Sequence, residues 1–319
     1  ILTLHHTALI KDLSGDSNGA EKAFLDALSS LDSARTVEAY GKFLIRARRF
    51  EEAYELYIGY GRNNGVVNSD KTLSLEKLSS RPQPDRLIKN VTDGIAEVLL
   101  NISVLFYQNR AVKLALVYSR LALWIKPSFP AVKLFIGDLY ENMEQREEAL
   151  RILESVEKHS VHYRPAQLRR STILNNLKRS QEATALLRRM SNEEPERIDA
   201  LIHLGDMLRE SKKYLLASAV YSQAINKMKN IRTYDWSLYY SRGISFERAK
   251  QWGNAEKDFL KALELKPKQP LVLNYLGYSW VDQGRNLNRA KKMIEEAVRM
   301  RPNDGYIVDS LGWALYRLG

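Results

Sequence analysis

A small residue recurs along this 319-residue chain at a nearly constant spacing, and that spacing constrains the fold more than any other feature. Consecutive copies lie 33 to 38 residues apart except for one gap of 62, and they are Ala20, Ala53, Ala115, Ala149, Ala183, Ala217, Ala255 and Ala290. In all copies but one, the residue four positions later is bulky and apolar. A period of this length indicates a stack of one supersecondary unit, because a single copy cannot bury its own apolar face.

Two further positions recur in register with the alanine. A small residue stands twelve positions before most copies, for example Gly137 and Gly243, and a proline stands twelve positions after four of them, for example Pro267. Small side chains allow two helices to approach closely, and proline ends a helix because it lacks an N–H and clashes with the preceding turn. The pattern therefore predicts a pair of packed helices in each copy.

These positions together resemble the tetratricopeptide repeat, a 34-residue helix–turn–helix unit. The resemblance implies an all-α, right-handed superhelix, or α-solenoid, with about eight repeats and a final half repeat. The predicted repeats begin near residues 1, 34, 96, 130, 164, 198, 236 and 270, and the half repeat begins at Gly305. We therefore predict two repeats in residues 1–63, an inserted loop or helical segment in 64–95, and one continuous solenoid in 96–319.

The sequence lacks the common catalytic and metal-binding patterns. It has no cysteine, which excludes a disulfide framework, a thiolate zinc site and a cysteine nucleophile. It has no phosphate-binding loop, nucleophile elbow, calcium loop or H-E-x-x-H motif. His159 and His162 lie three residues apart, but the sequence suggests no third ligand for a metal. We predict no catalytic residue, metal site or cofactor, and a protein that is not an enzyme.

The resemblance also implies where a partner would bind. In tetratricopeptide repeats the first helices line a concave groove through repeat positions 2, 5, 9 and 12, which we call the groove face. Aromatic rings can cover apolar side chains of an extended peptide, and an amide can pair with its backbone. The predicted partner-binding residues are Tyr240, Asn274, Tyr278, Tyr306, Asp309 and Trp313. The alternative is that Trp313 and Tyr316 pack beneath a following helix.

The charge of the chain is concentrated in its second half. Residues 1–160 contain equal numbers of basic and acidic side chains, so residues 161–319 carry the whole net charge of +11. One repeat contains a basic patch made of Arg164, Arg169, Arg170, Arg179, Arg188 and Arg189. Such a patch suits an acidic protein partner, and the alternative is a solvated helix face. Nucleic acid is disfavoured because no aromatic residues alternate with this patch.

The C-terminal run from Leu273 to Leu287, followed by Pro302 to Gly319, carries a more specific resemblance. It is similar to exported or lipid-anchored tetratricopeptide proteins of Gram-negative bacteria, which include adaptors of periplasmic carboxy-terminal processing proteases. This resemblance implies a protein-interaction scaffold in the periplasm or anchored to the outer membrane, with the protease and its cell-wall hydrolase substrates as partners. Any lipid anchor would lie outside residues 1–319, and the alternative location is the cytoplasm.

Two other functions remain open at this point. One is a structural factor in the assembly of envelope or polysaccharide-export machinery, which would act through its ends and outer face. The other is the non-catalytic repeat region of a larger enzyme. Both would use the same stacked helices.

Overall fold

The computed structural model describes residues 2–30, 33–63, 78–79 and 82–319, and these residues form helices and short turns without any strand. They divide into two compact units, Ile1–Arg189 and Met190–Gly319, called here the N-terminal and C-terminal units. Half of the predicted insertion at 64–95, residues 64–77 and 80–81, lies outside the described residues. The all-α repeat fold is confirmed.

The described helices follow one another as antiparallel pairs. They are α1 Leu2–Ser14, α2 Ser17–Ser30, α3 Ala34–Arg46, α4 Phe50–Asn63, α5 Val91–Gln108, α6 Val112–Ile125, α7 Pro130–Asn142, α8 Arg146–Glu154, α9 Tyr163–Asn176, α10 Ser180–Glu193, α11 Asp199–Glu210, α12 Tyr214–Asn226, α13 Trp236–Arg248, α14 Trp252–Leu265, α15 Pro270–Asp282, α16 Leu287–Met300 and α17 Gly305–Leu318. The predicted starts agree with the first helices except at the third repeat. There α5 begins at Val91, ahead of residue 96, because Asn90 caps it by accepting a hydrogen bond from the Asp93 N–H.

The recurring small residues hold the two helices of each pair together. Every one of the eight repeat alanines is completely buried. A Cβ added at Gly243 would lie 2.7 Å from the ring of Phe259, and one added at Gly205 would lie 2.4 Å from the ring of Tyr221. In the third repeat two serines replace the glycine and the bulky residue, and the Ser103 and Ser119 hydroxyls are 2.6 Å apart. The close approach predicted from the sequence is confirmed.

The turn inside each helix pair uses a left-handed residue, and that residue is usually charged. Gly15 and Gly284 supply it in two pairs, whereas Arg48, Arg110, Glu144, Lys178, Lys212 and Lys250 adopt positive φ angles in the others. The residue after each one closes the turn by donating to a carbonyl five residues earlier, as Arg179 does to Leu174 at 2.9 Å. A left-handed non-glycine residue costs about 1 kcal/mol. The glycine signal that usually marks a helix end is therefore missing from most of these turns.

Each unit has its own apolar core. Leu78, Leu87 and Ile88 are buried in the core formed by α1 to α4, so the chain that follows α4 packs back on the first two repeats. The core of the C-terminal unit centres on Phe259 and Trp280, both almost fully buried. This second core supports α15 and α17, which carry most of the predicted partner-binding residues.

Candidate functional site

A cavity of about 440 Å³ opens on the groove face of α15 and α17. We call it the aromatic pocket, and its walls are Tyr278, Asp309, Gly312, Trp313 and Tyr316. Pro270 starts α15 as the first helical residue, where its missing N–H costs nothing. Tyr278 comes from α15, and Asp309, Trp313 and Tyr316 follow one another at three- and four-residue spacing on one face of α17. The pocket therefore arises from first helices of two neighbouring repeats.

The pocket combines exposed rings with buried polar atoms that have no partner. Trp313 and Tyr316 are stacked with their ring centroids 5.6 Å apart. Tyr316 is 75% exposed and Tyr278 is 41% exposed. The indole Nε1 of Trp313 and the amide Oδ1 of Asn274 are buried without a hydrogen-bond partner. An unsatisfied buried polar atom costs about 1–3 kcal/mol, so these two atoms lower the stability of this part of the fold.

The six predicted partner-binding residues do not all lie in this pocket. Tyr278, Asp309 and Trp313 line it, and Asn274 lies one turn before Tyr278 on α15. Tyr306 is 89% exposed and is not part of the pocket wall. Tyr240 packs into the aromatic core instead, edge-on to Tyr275 at 5.9 Å. The binding role of all six residues stays a prediction.

The environment of Tyr240 explains why it belongs to the core. Its ring also contacts Trp236 at 6.0 Å and Phe259 at 6.1 Å between centroids. Burial raises the pKa of Tyr240 to about 12. The neighbouring Tyr275 hydroxyl donates to Glu247 Oε2 at 3.1 Å. Aromatic residues at different groove-face positions therefore serve two purposes, and membership of the groove face alone does not separate them.

The basic patch is largely neutralised by neighbouring carboxylates. Arg169 pairs with Asp138 at 3.1 Å and with Glu141, and Arg170 pairs with Glu154 at 2.8 Å. Arg179 pairs with Glu182 at 2.7 Å, and Arg164 is buried. Arg188 and Arg189 are exposed on α10. A binding role for this patch stays a prediction, because most of its charge is already compensated within the N-terminal unit.

The groove face of the N-terminal unit contains a cluster that the sequence did not indicate. We call it the N-terminal polar cluster, and its members are His5, His6, Arg35, Glu38, Lys42, Glu97 and His162. Arg35 donates to Glu97 Oε2 at 3.0 Å and to Glu38 Oε2 at 2.6 Å, and Lys42 lies 2.9 Å from Glu38 Oε1. Glu97 is completely buried. The charged side chains Arg35, Glu38, Lys42 and Glu97 pair with one another, whereas the Nε2 atom of His5 is buried without a hydrogen-bond partner.

Burial and charge set the protonation of this cluster. Burial, with smaller contributions from His6 and Arg35, lowers the pKa of His5 to about 4. Burial would raise the pKa of Glu38, but the charges of Arg35 and Lys42 prevail and hold that pKa at about 2. Burial also lowers the pKa of His162, although Glu38 opposes the change. The described residues contain no group of three or more side chains placed to hold a metal ion.

A second surface without a sequence prediction lies on the α5–α6 pair. Its large apolar side chains recur every three or four residues and are exposed; they are Val91, Ile95, Val98, Leu105, Leu114, Val117, Leu121 and Trp124. Val98 and Leu105 occupy repeat positions 3 and 10, which are buried in α7 as Val132 and Leu139. The helical spacing of these apolar residues is the sequence feature that could have indicated this surface. We report this surface as an exposed apolar face.

Comparison with known proteins places the chain among repeat proteins. No protein-family model matches it. It is 30% identical over 155 residues to the TPR repeat-containing protein PA4667 of Pseudomonas aeruginosa, a match that covers 49% of this chain and 26% of that protein. The crystal structure of the APC/C hetero-tetramer Cut9–Hcn1 matches with a TM-score of 0.50 at 14% identity, covering 93% of this chain and 59% of that chain. The chain has the tetratricopeptide-repeat fold and is similar in sequence to a protein of that family.

A structure from the functional characterization of Pseudomonas aeruginosa pilF shares this fold, with a TM-score of 0.50 and 17% identity over 69% of this chain and 98% of that chain. The matched part of this chain spans about a quarter of the length of PA4667. Tetratricopeptide-repeat proteins generally act as non-catalytic scaffolds that bind peptides or proteins. Among the described residues, no helix has both the length and the apolar character needed to cross a bilayer.

Proposed function

We propose that this protein binds an extended segment of a partner protein along the groove face of its C-terminal unit. The observation that carries the proposal is the aromatic pocket, where two exposed tyrosine rings, the partly buried ring of Trp313 and the Asp309 carboxylate surround a cavity. Tyrosine and tryptophan bury large areas at low cost in side-chain entropy and dominate binding energy at protein interfaces.

The more specific form of the proposal is an envelope adaptor. The resemblance of the C-terminal run to Gram-negative exported repeat proteins supports a periplasmic or outer-membrane-anchored scaffold. Such a scaffold would bring cell-wall hydrolases to a carboxy-terminal processing protease. It would act by raising the effective concentration of the substrate near the protease, and it would need no chemistry of its own.

The groove proposal is tested by affinity capture from envelope extract followed by mass spectrometry. The variant is Tyr278→Ala/Tyr316→Ala, which removes two exposed pocket rings. The matched control is Trp124→Ala, which removes a ring that is 81% exposed on α6, far along the chain from the pocket. We expect the pocket variant to lose partners that the wild type and the control retain. Equal retention by all three proteins would contradict groove binding.

The adaptor role needs a reconstituted assay with a purified processing protease and a purified wall hydrolase. We expect addition of the wild-type protein to accelerate cleavage of the hydrolase, and the pocket variant to accelerate it less. The Trp124→Ala protein should match the wild type. An unchanged cleavage rate with all three proteins would refute the adaptor role while leaving groove binding to the capture experiment.

A further inference from the structure

We infer that the aromatic pocket is a site for a cationic side chain, a lysine or an arginine carried by the bound segment. This inference rests on the proposed function and names the chemistry that the pocket selects. It depends on three observations: the rings and the carboxylate that share the cavity, the pairing of the other groove-face acids, and the distribution of charge on the C-terminal unit.

The walls of the pocket suit a cation. Tyr278, Trp313 and Tyr316 contribute aromatic rings, whose faces attract ammonium and guanidinium groups. Asp309 adds a carboxylate, and this carboxylate makes no hydrogen bond or ion pair with any described residue. The cavity of about 440 Å³ falls within the range of ordinary ligand sites and has room for one long side chain. Rings and an unpaired carboxylate together define a receptor for positive charge.

Other acids on the same face already have cationic neighbours. Asp199 pairs with Arg197 at 3.1 Å, Asp206 pairs with Arg209 at 3.3 Å, and Glu247 lies 3.4 Å from Arg248. Asp309 occupies the same face of α17 and has no such neighbour within the part of the chain that the structure describes. A carboxylate left in this position gains most from a partner that brings its own positive charge.

The charge of the groove face is opposite in sign to that of the chain around it. The C-terminal unit, residues 190–319, contains 21 basic and 16 acidic side chains and carries a net charge of +5. At repeat positions 2, 5, 9 and 12 of the four first helices of the C-terminal unit, however, the charged residues are Asp199, Asp206, Arg209, Glu247 and Asp309. Arg197, Arg209 and Arg248 pair with three of these four acids, so Asp309 is the one whose charge is not compensated by a described residue. An acidic or phosphorylated segment would meet repulsion from this carboxylate at the pocket.

Arg317 shows that a pocket ring accepts a guanidinium. It lies over the ring of Trp313 at 5.5 Å from the centroid, and its Nη1 donates to the carbonyl of Asp282 at 3.2 Å. Arg317 is not part of the cavity wall. The Asp282 carbonyl holds it outside, which leaves Asp309 and the remaining ring surfaces for a cation from the partner.

An apolar side chain fits this pocket less well. Filling the cavity with a hydrocarbon would remove water from the Asp309 carboxylate without giving it a partner. Lysine and arginine avoid this penalty, because their methylene stems contact the rings while the charged end reaches the carboxylate. The pocket therefore discriminates by charge at one end and by shape along its length.

The test uses blocked single amino acids as probes, so that only the side chain varies. N-acetyl methylamides of arginine, lysine, norleucine and glutamate are titrated into protein labelled with ¹⁵N-tryptophan. The indole N–H signal of Trp313, assigned with Trp313→Phe, reports binding. We expect the arginine and lysine probes to bind about 3- to 10-fold more tightly than norleucine, and the glutamate probe to bind least.

Two variants complete the test. The Asp309→Asn substitution should lower the affinity for the arginine and lysine probes to the affinity for norleucine. Glu264→Gln, which removes an exposed carboxylate on α14, should leave the preference unchanged. Equal binding of norleucine and arginine, or an unchanged preference in Asp309→Asn, would overturn the cation site. The absence of any shift with all four probes would also overturn it. The capture experiment decides groove binding separately, since it does not depend on which side chain is preferred.

Discussion

The two units use the same repeat positions in opposite ways. In the N-terminal unit the groove-face residues Arg35, Glu38 and Glu97 are bonded to one another. In the C-terminal unit Tyr278, Asp309 and Tyr316 surround an open cavity. A groove-face position can therefore stabilise the fold or remain available to a partner. Its role is decided by what the neighbouring repeats place opposite it.

The prediction with the largest expected effect on stability removes Arg35, the central cation of the N-terminal polar cluster. Arg35→Met leaves the buried Glu97 carboxylate without its main partner. We expect the free energy of unfolding to fall by about 3–5 kcal/mol, as measured by urea denaturation. The control Arg179→Met breaks an exposed pair with Glu182 and should cost about 0–1 kcal/mol. Equal losses in the two variants would show that the cluster adds no more than a surface ion pair.

Acid should destabilise the N-terminal unit before the C-terminal unit. Because the folded protein lowers the pKa of His5 from 6.5 to about 4, the unfolded chain binds a proton that the folded chain does not between these values. Stability therefore falls as the pH drops from about 6.5 to about 4, by up to roughly 3 kcal/mol. The depressed pKa of Glu38 adds a further loss as the pH falls from 4.5 toward 2.

Hydrogen-exchange mass spectrometry, corrected for the intrinsic pH dependence of exchange, can follow each unit separately. We expect protection of α1, α3 and α5 to fall between pH 6.5 and 4.5, while protection of α13 to α16 stays nearly constant. His5→Gln should flatten the response of the N-terminal unit. A parallel loss in both units, or an unchanged response in His5→Gln, would contradict the role assigned to the cluster.

The prediction with the smallest expected effect compares two glycines of the C-terminal unit. One glycine packs against a buried ring, and the other has free space beside it. A Cβ at Gly243 would meet the buried Phe259 ring at 2.7 Å, whereas one at Gly312 would have no neighbour within 4 Å. Gly243→Ala should therefore lower the free energy of unfolding by about 1–3 kcal/mol through overpacking. Gly312→Ala should raise it by about 0.5–1 kcal/mol, because alanine loses less entropy in a helix. Thermal unfolding of the two variants should shift in opposite directions, and a shift in the same direction would contradict the open pocket.

The helix pairs and their close packing were predictable, because they depend on a local pattern that repeats. The alanines and the glycines that meet the second helices occupy fixed positions, so one copy explains the others. The same repeat register also predicted which residues of α15 and α17 occupy groove-face positions. The turns were less predictable, since residues such as Lys178 and Lys250 adopt the left-handed conformation that glycine usually signals.

What the sequence determined by itself is the repeat, its period and the absence of a recognisable catalytic motif. Tertiary structure decided which groove-face residues are available. Arg35 and Glu97 are 62 positions apart, and no periodic pattern indicates that they meet. Tyr240 and Tyr278 occupy groove-face positions on successive first helices, yet one packs in the core and the other lines the aromatic pocket. The physical reason is that the burial and pairing of a groove-face side chain depend on contacts between repeats. The recurring sequence pattern, in contrast, encodes the contacts between the two helices of a single repeat.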